Sequence, residues 1–233
     1  MKTIADLHMH TSVSQHAYST LDEMALAAKS KGLEAFAITN HGPGMIDGAM
    51  ALHFLCLSNL PDQLYGLRFY KGAEVNIKSY SGQLDLESSI LSRLDLVIAS
   101  LHVEAISPAA EKDHTEGLMG AIANPDVDCL GHIGNPVFQC DYKTIVKECV
   151  RLDKLIEINS NSFSVRPGSD ENCRTVARLC MEYGVSVLVS SDAHSKYAVG
   201  NHDAALHMLR ELSFPEELII NADRGRLENH FHS

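Results

Sequence analysis

His8 and His10 stand two residues apart, just past the apolar run 4–7. Side chains alternate along a strand, so both rings face one way and could offer a single cation two imidazoles. The layout recurs. Run 35–39 leads into His41, run 69–73 into Glu74, run 96–101 into His102, and run 129–131 into His132. Run 155–158 leads into Asn159, run 187–190 leads into Asp192 and His194, and His16 follows on the first loop. Singly, each histidine reads as an ordinary surface or core residue. Jointly, seven imidazoles and two carboxylates placed past apolar runs describe a nitrogen-rich, multinuclear metal site. Zinc suits such donors best, with manganese and iron as alternatives.

These residues need elements that bring them together. The seven runs alternate with helical patterns, which predicts an α/β fold with a parallel sheet. Six of the seven runs lead into ligands, which favours closure into a barrel with the metal site at the C-terminal ends of its strands. Thr20 and Glu23 have the spacing of a capping box, Leu21, Met24, Ala25 and Ala28 supply an apolar face, and Gly32 offers a stop. Further helices are expected over 141–152, over 169–183 closed by Gly184, and over 202–212 before Pro215. Segments 51–60, 84–93 and 115–123 carry weaker helical patterns. Segment 42–67, with Gly42, Pro43, Gly44 and Gly48, reads as a mobile loop beside the site. Asp47 there spoils a G-x-G-x-x-G, so no dinucleotide site is expected. His53, His114, His202 and His207 read as structural or surface residues, and His230 and His232 as part of a C-terminal tail.

The 233 residues suit one domain spanning 1–233, with 45% hydrophobic content enough for a core. No apolar run approaches the roughly 18–20 residues of a membrane span. The start MKTIADLHMHTS lacks an apolar signal core, so a cytoplasmic address is expected. Six cysteines form no C-x-x-C and read as reduced, structural residues. The net charge of −11 argues against nucleic acid as a partner. It does not argue against a small phosphorylated substrate, because divalent ions reverse the local field. A homo-oligomer is compatible with all of this.

The motifs resemble those of the PHP-domain (polymerase and histidinol phosphatase) superfamily, nearest its YcdX-type phosphatases. They include DLHMHT at 6–11, HAYST at 16–20, ITNHGP at 38–43, GAEVNIK at 72–78, GHIGNP at 131–136, EINSNSF at 157–163 and SSDAH at 190–194. The resemblance implies a distorted (β/α)7, TIM-like barrel holding three divalent metal ions. It assigns His8, His10, Glu74 and Asp192 to the first ion, Glu74, His102 and His132 to the second, and His16, His41 and His194 to the third. Glu74 would bridge the first two. Ten bonds from nine side chains fall short of the about 12–15 that three ions take, leaving positions for water and substrate. Asn40 stands where members often have Asp, and Ile133 where Pro is common.

A cluster of cations suits a phosphate monoester. The expected function is therefore a metal-dependent phosphatase acting on small molecules through a metal-bound hydroxide at a trinuclear site. Glu74 and Asp192 are the expected catalytic carboxylates. Arg166 could grip a phosphate through paired hydrogen bonds, and Asn161 and Tyr18 are further expected substrate contacts. Lys78 is another plausible contact. Alternatives are histidinol phosphatase action, nuclease or phosphodiesterase action of the PHP type, and a non-catalytic metal-binding scaffold.

Overall fold

The computed structural model describes residues 1–231, and the alternation read from the sequence is present in it. From the N-terminus run β1 (Ala5–Asp6), α1 (Leu21–Ser30), β2 (Ala35–Ile38), α2 (Ala51–Cys56), β3 (Gln63–Leu64) and β4 (Leu67–Asn76). Next come α3 (Ser88–Leu91), β5 (Leu96–Ser100), α4 (Glu111–Ile122), β6 (Cys129–Leu130) and α5 (Tyr142–Leu152). The chain ends with β7 (Leu155–Asn159), α6 (Ser162–Val165), α7 (Ser169–Tyr183), β8 (Val187–Ser190), α8 (Asp203–Glu211) and α9 (Arg224–His230). Seven strands pair in parallel in the order β1-β2-β4-β5-β6-β7-β8, while β3 is a short antiparallel flap on β4.

The barrel is nearly closed, and its seam explains the distortion. No ladder joins β8 to β1; a single bridge links Met9 to Ala193. Side chains supply the missing hydrogen bonds. Buried Asn221 donates to the carbonyls of Ala5 (2.7 Å) and Val189 (2.8 Å), and accepts from the Val189 amide (3.2 Å). Asp6 accepts from the Ser191 hydroxyl at 2.5 Å and the Gly200 amide at 2.8 Å. Buried backbone groups left unpaired would each cost a hydrogen bond, so these two residues act as part of the sheet.

Period-two alternation sorts the barrel interior into layers. Alternate residues Ala5, Leu7, Ala35, Ala37, Tyr70, Leu96, Ile98, Cys129, Leu155 and Leu188 pack in one apolar cluster. Leu227 and Phe231 belong to the same cluster, so α9 closes that end of the barrel. Two positions on from Leu155 on β7 comes Glu157, then Asn159; four on from Tyr70 on β4 comes Glu74, then Asn76. The interior thus turns from apolar to polar toward the C-terminal strand ends. α5 and α7 cover the outside with Ile145, Val146, Cys149, Val176, Ala177 and Cys180, all buried.

The helices follow their local signals. Thr20 and Glu23 form the capping box, and Gly32 (φ +72°) and Gly184 (φ +75°) take the left-handed conformation that ends a helix. The weak patterns shortened or moved. Segment 51–60 is a six-residue helix followed by a 3-10 turn, segment 84–93 retains one helical turn, and the helix expected over 115–123 begins at Glu111. Asp113 accepts the Ala110 amide at 3.3 Å and anchors that earlier start. His230 lies in α9 rather than in a loose tail; His232 lies outside the described residues. His202 sits just ahead of α8, buried, with Nε2 3.3 Å from Asp6 and Nδ1 2.7 Å from the Thr3 hydroxyl. All six cysteines are free thiols, and five are buried. Among the described residues, no helix is long and apolar enough to cross a membrane.

Asp128, at the closed end, accepts the Val97 amide at 2.7 Å, and burial raises its carboxyl to about 6. A carboxyl whose folded pKa exceeds its unfolded value holds its proton longer in the folded state, so stability falls as pH rises between the two values. Wild type is expected to lose roughly 2 kcal/mol from this group between about pH 4 and 6.5. Asp128→Asn keeps the acceptor and removes the titration. Denaturant melts across this range should give a wild-type-minus-variant difference that slopes downward; a flat difference contradicts the assignment.

Candidate metal centre

Every histidine and acid singled out by its position is found at the open end of the barrel. Glu74 is the hub, and it lies inside β4 rather than past it, two residues before the strand ends. Its Oε2 is 3.2 Å from His8 Nε2, 2.8 Å from His41 Nδ1 and 3.6 Å from His10 Nε2. Its Oε1 is 2.9 Å from His132 Nε2 and 3.3 Å from His102 Nε2. Asp192 Oδ1 lies 3.2 Å from His10 Nε2 and 3.7 Å from His8 Nε2. On the outer side, His16 Nε2 meets His194 Nε2 at 2.9 Å.

Whether this set fits metal ions can be judged from its unsatisfied atoms. His8 Nε2, both ring nitrogens of His10, His41 Nδ1 and Glu74 Oε2 are buried without a hydrogen-bond partner. Such orphans are rare and costly unless something else binds them. Three groups of donors lie within mutual reach: His8, His10 and Glu74; His41, Glu74 and His102; and His10, His41 and His194. His10, His41 and Glu74 each belong to two groups, so the sets overlap more than a simple partition into three cages would suggest. Borderline-soft imidazoles with two hard carboxylates suit zinc and its first-row neighbours.

The rings are oriented from behind. His8 donates Nδ1–H to Glu157 Oε1 at 2.6 Å, and His16 pairs through Nδ1 with Asp47 Oδ2 at 2.6 Å. His102 Nδ1 is 2.8 Å from Asn76 Oδ1, and His194 Nδ1 is 2.9 Å from the Asp192 carbonyl. A ring that donates from Nδ1 carries its lone pair on Nε2, which here points inward; ligating histidines are set this way. Two residues of the cluster also sit in left-handed backbone: His132 at φ +30° and Asp192 at φ +52°. That conformation is costly for residues other than glycine and persists because the surrounding structure holds it.

The charges of the cluster oppose burial. Burial would raise the Glu74 and Asp192 carboxyls, but the facing imidazoles, His8 foremost, hold both well below the usual range. Burial would lower His8, yet Glu157, Glu74 and Asp192 drive it well above an ordinary histidine. His132 falls to about 4, through burial and then the Arg166 charge. Neutral imidazoles and ionised carboxylates are the forms that bind cations, so an ion binding at His8 would have to displace the proton that its acidic neighbours favour.

A cavity of about 490 Å³ opens onto the cluster, lined by His16, His41, Met45, His102, Glu104, Asn135, Asn161, Arg166, Asp192 and His194 among others. Arg166 lies beside the centre, with Nη2 3.4 Å from Asp192 Oδ2 and Nη1 donating to the Ser162 hydroxyl at 3.1 Å. Asn161 precedes α6 on the cavity wall. Tyr18 does not line the cavity: its side chain is 83% exposed, and its backbone amide donates to the His194 carbonyl. Lys78 lines a separate cavity with Asp85. Asn159 is buried and donates to Asp192 Oδ2 at 3.1 Å.

Sequence reasoning passed over Glu157 and Asp47. The sequence signals for Glu157 were an acid in an otherwise apolar run and its place at the head of EINSNSF. Asn40 orients the loop before the centre. Its Oδ1 accepts the Thr11 amide at 2.8 Å and the Ser14 hydroxyl at 3.2 Å, and that hydroxyl in turn accepts the His41 amide. Its amide nitrogen lies 3.2 Å from His53 Nε2, a donor's place that a carboxylate would leave empty.

The PHP domain family model matches residues 6–161. A probable phosphatase of Acetivibrio thermocellus is 42% identical over 230 residues, covering 99% of this chain and 95% of that protein. A probable phosphatase of Caldicellulosiruptor saccharolyticus is 44% identical over 216 residues, covering 93% and 90%. Among solved structures, the histidinol phosphate phosphatase of Lactococcus lactis, complexed with zinc, L-histidinol and phosphate, superposes with a TM-score of 0.68. The identity is 16%, covering 92% of this chain and 95% of that one, a likeness of fold.

Proposed function

Because the chain belongs to the PHP-domain family and is a metal-dependent phosphatase, we propose that it hydrolyses phosphate monoesters of small molecules at a centre of three divalent ions. The observation that carries this reading is the set of buried, partnerless donor atoms around one two-sided carboxylate. His8, His10, His16, His41, Glu74, His102, His132, Asp192 and His194 would hold the ions, zinc first, with manganese and iron as alternatives. Bound ions of this kind activate water and offset charge on a transferring phosphoryl group.

The protein's own part is positional. Glu74 presents one oxygen to His8 and His41 and the other to His102 and His132, which suits a bridge. Asp192 orients the attacking water and relays its proton, its Oδ2 steadied by Asn159 and Arg166. Arg166 grips a phosphate oxygen, and Asn161 contacts the ester from the wall. We read 1–233 as a single domain and the enzyme as cytoplasmic, in keeping with its free cysteines.

The test is a phosphate-ester panel, histidinol phosphate included, run on wild type with its metal content measured. Hydrolysis of monoesters with no cleavage of single-stranded DNA is expected. Protein carrying three ions but inert across the panel overturns the reading. Arg166→Ala should raise KM by roughly 10-fold or more, the worth of a charge-assisted hydrogen bond, with a smaller loss in kcat. An unchanged KM would place Arg166 outside the phosphate site.

A further inference from the structure

Six barrel strands lead into residues of the metal centre, and β7 supplies none. We infer that β7 is instead the positioning strand of the site, and that Glu157 sets which nitrogen of His8 is free to bind metal. The inference rests on the metal-centre reading above.

Glu157 is buried and receives hydrogen bonds at both oxygens. Oε1 accepts from His8 Nδ1 at 2.6 Å and from the Ser190 hydroxyl at 2.5 Å. Oε2 accepts from the His132 amide at 2.7 Å and from Asn159 Nδ2 at 3.3 Å. Four donors converge on it, and a carboxylate has acceptor sites for all four. Asn159, on the same strand face, continues the buttress: it donates to Asp192 Oδ2 at 3.1 Å and accepts the Ser162 amide. Two side chains of one strand therefore hold three ligands, and two of those, His132 and Asp192, are the ones in left-handed backbone.

Glutamine at 157 has nearly the same shape but only one accepting oxygen. The His132 amide is backbone and cannot turn, so that oxygen must stay with it. The glutamine NH2 group then faces His8 Nδ1. His8 can accept from it only by moving its own proton to Nε2, where the proton occupies the lone pair aimed at Glu74. The Ser190 hydroxyl can rotate to accept, so it resists nothing.

Competition titration of metal-free protein with zinc and a chromogenic chelator tests this. Wild type should take up three ions. Glu157→Gln should bind one of the three roughly 10- to 100-fold more weakly, the usual cost of losing a residue that orients a ligand. Ser190→Ala removes one donor to Glu157 without forcing the exchange, and should match wild type within about threefold. Nitrogen-15 imidazole spectra of zinc-loaded wild type need no variant and should show His8 protonated at Nδ1 and liganded through Nε2. Three zinc ions bound at wild-type affinity by folded Glu157→Gln, or His8 liganded through Nδ1, overturns the inference and leaves the phosphatase reading intact. Wild type that takes up no zinc overturns both.

Discussion

Glu74→Gln lowers kcat/KM by roughly 10³-fold, at the upper end of the loss seen when one preorganised charge-stabilising group is removed. The substitution changes almost nothing in shape. Both oxygens of Glu74 face imidazole nitrogens, His8 and His41 on one side and His132 and His102 on the other. Glutamine replaces one oxygen with an NH2 group that can only donate, and it removes one of the two carboxylates among the nine proposed ligands. Whichever way the amide turns, one side of the hub loses its acceptor. Metal content should fall along with rate, so elemental analysis belongs beside the kinetics. A variant within tenfold of wild type, or one that retains a full complement of metal, would remove Glu74 from the hub of the mechanism.

The reason Glu74 was legible from sequence says much about what can be read this way. Strand periodicity and the habit of parallel barrels of placing chemistry at one end are local and repetitive. They were enough to pick out His8, His10, His41, His102, His132, Asp192 and His194 as convergent. They were also enough for seven strands and the four strong helices. Glu74 lies inside β4 instead of beyond it because Val75 and Asn76 continue the ladder to β5, and Asn159 likewise still pairs as the last residue of β7. A run of apolar residues does not mark where pairing stops.

What escaped was tertiary in origin. Glu157 acts on His8 across 149 positions and on His132 across 25. No spacing rule connects such pairs; His132 follows β6, the neighbour of β7, and His8 follows β1, brought near only by the closing of the barrel. Asp47 meets His16 across 31 positions, in a loop whose glycines conveyed mobility rather than contact. Asn221, beyond the last helix read from the sequence, stitches a seam that exists only because β8 and β1 fail to pair. Asp6 and His202 belong to the same class: their pairing spans nearly the whole chain and closes the barrel next to the centre. Tyr18 shows the opposite failure, where a suggestive motif position turned out to project into solvent.

Stripping the metal should abolish turnover and also destabilise the fold, and the second effect separates a structural centre from a loosely bound activator. An ion that binds only the folded state stabilises it by mass action, about 4 kcal/mol at a thousandfold excess over Kd. A chain of this size shifts its Tm by roughly 2–4 °C per kcal/mol, so chelation should lower Tm by roughly 10 °C or more. The geometry gives a reason for so large a dependence. Without cations, the orphaned nitrogens of His8, His10 and His41 and the Glu74 oxygen keep their desolvation cost with nothing to offset it. His132 and Asp192 would also hold left-handed backbone for no return. Calorimetry before and after treatment with a strong chelator, with metal loss verified, measures the drop. Adding zinc back should restore both Tm and activity. A Tm that stays put after verified removal would mean that the hydrogen bonds of Glu157, Asp47, Asn76 and Asn159 suffice to hold the cluster.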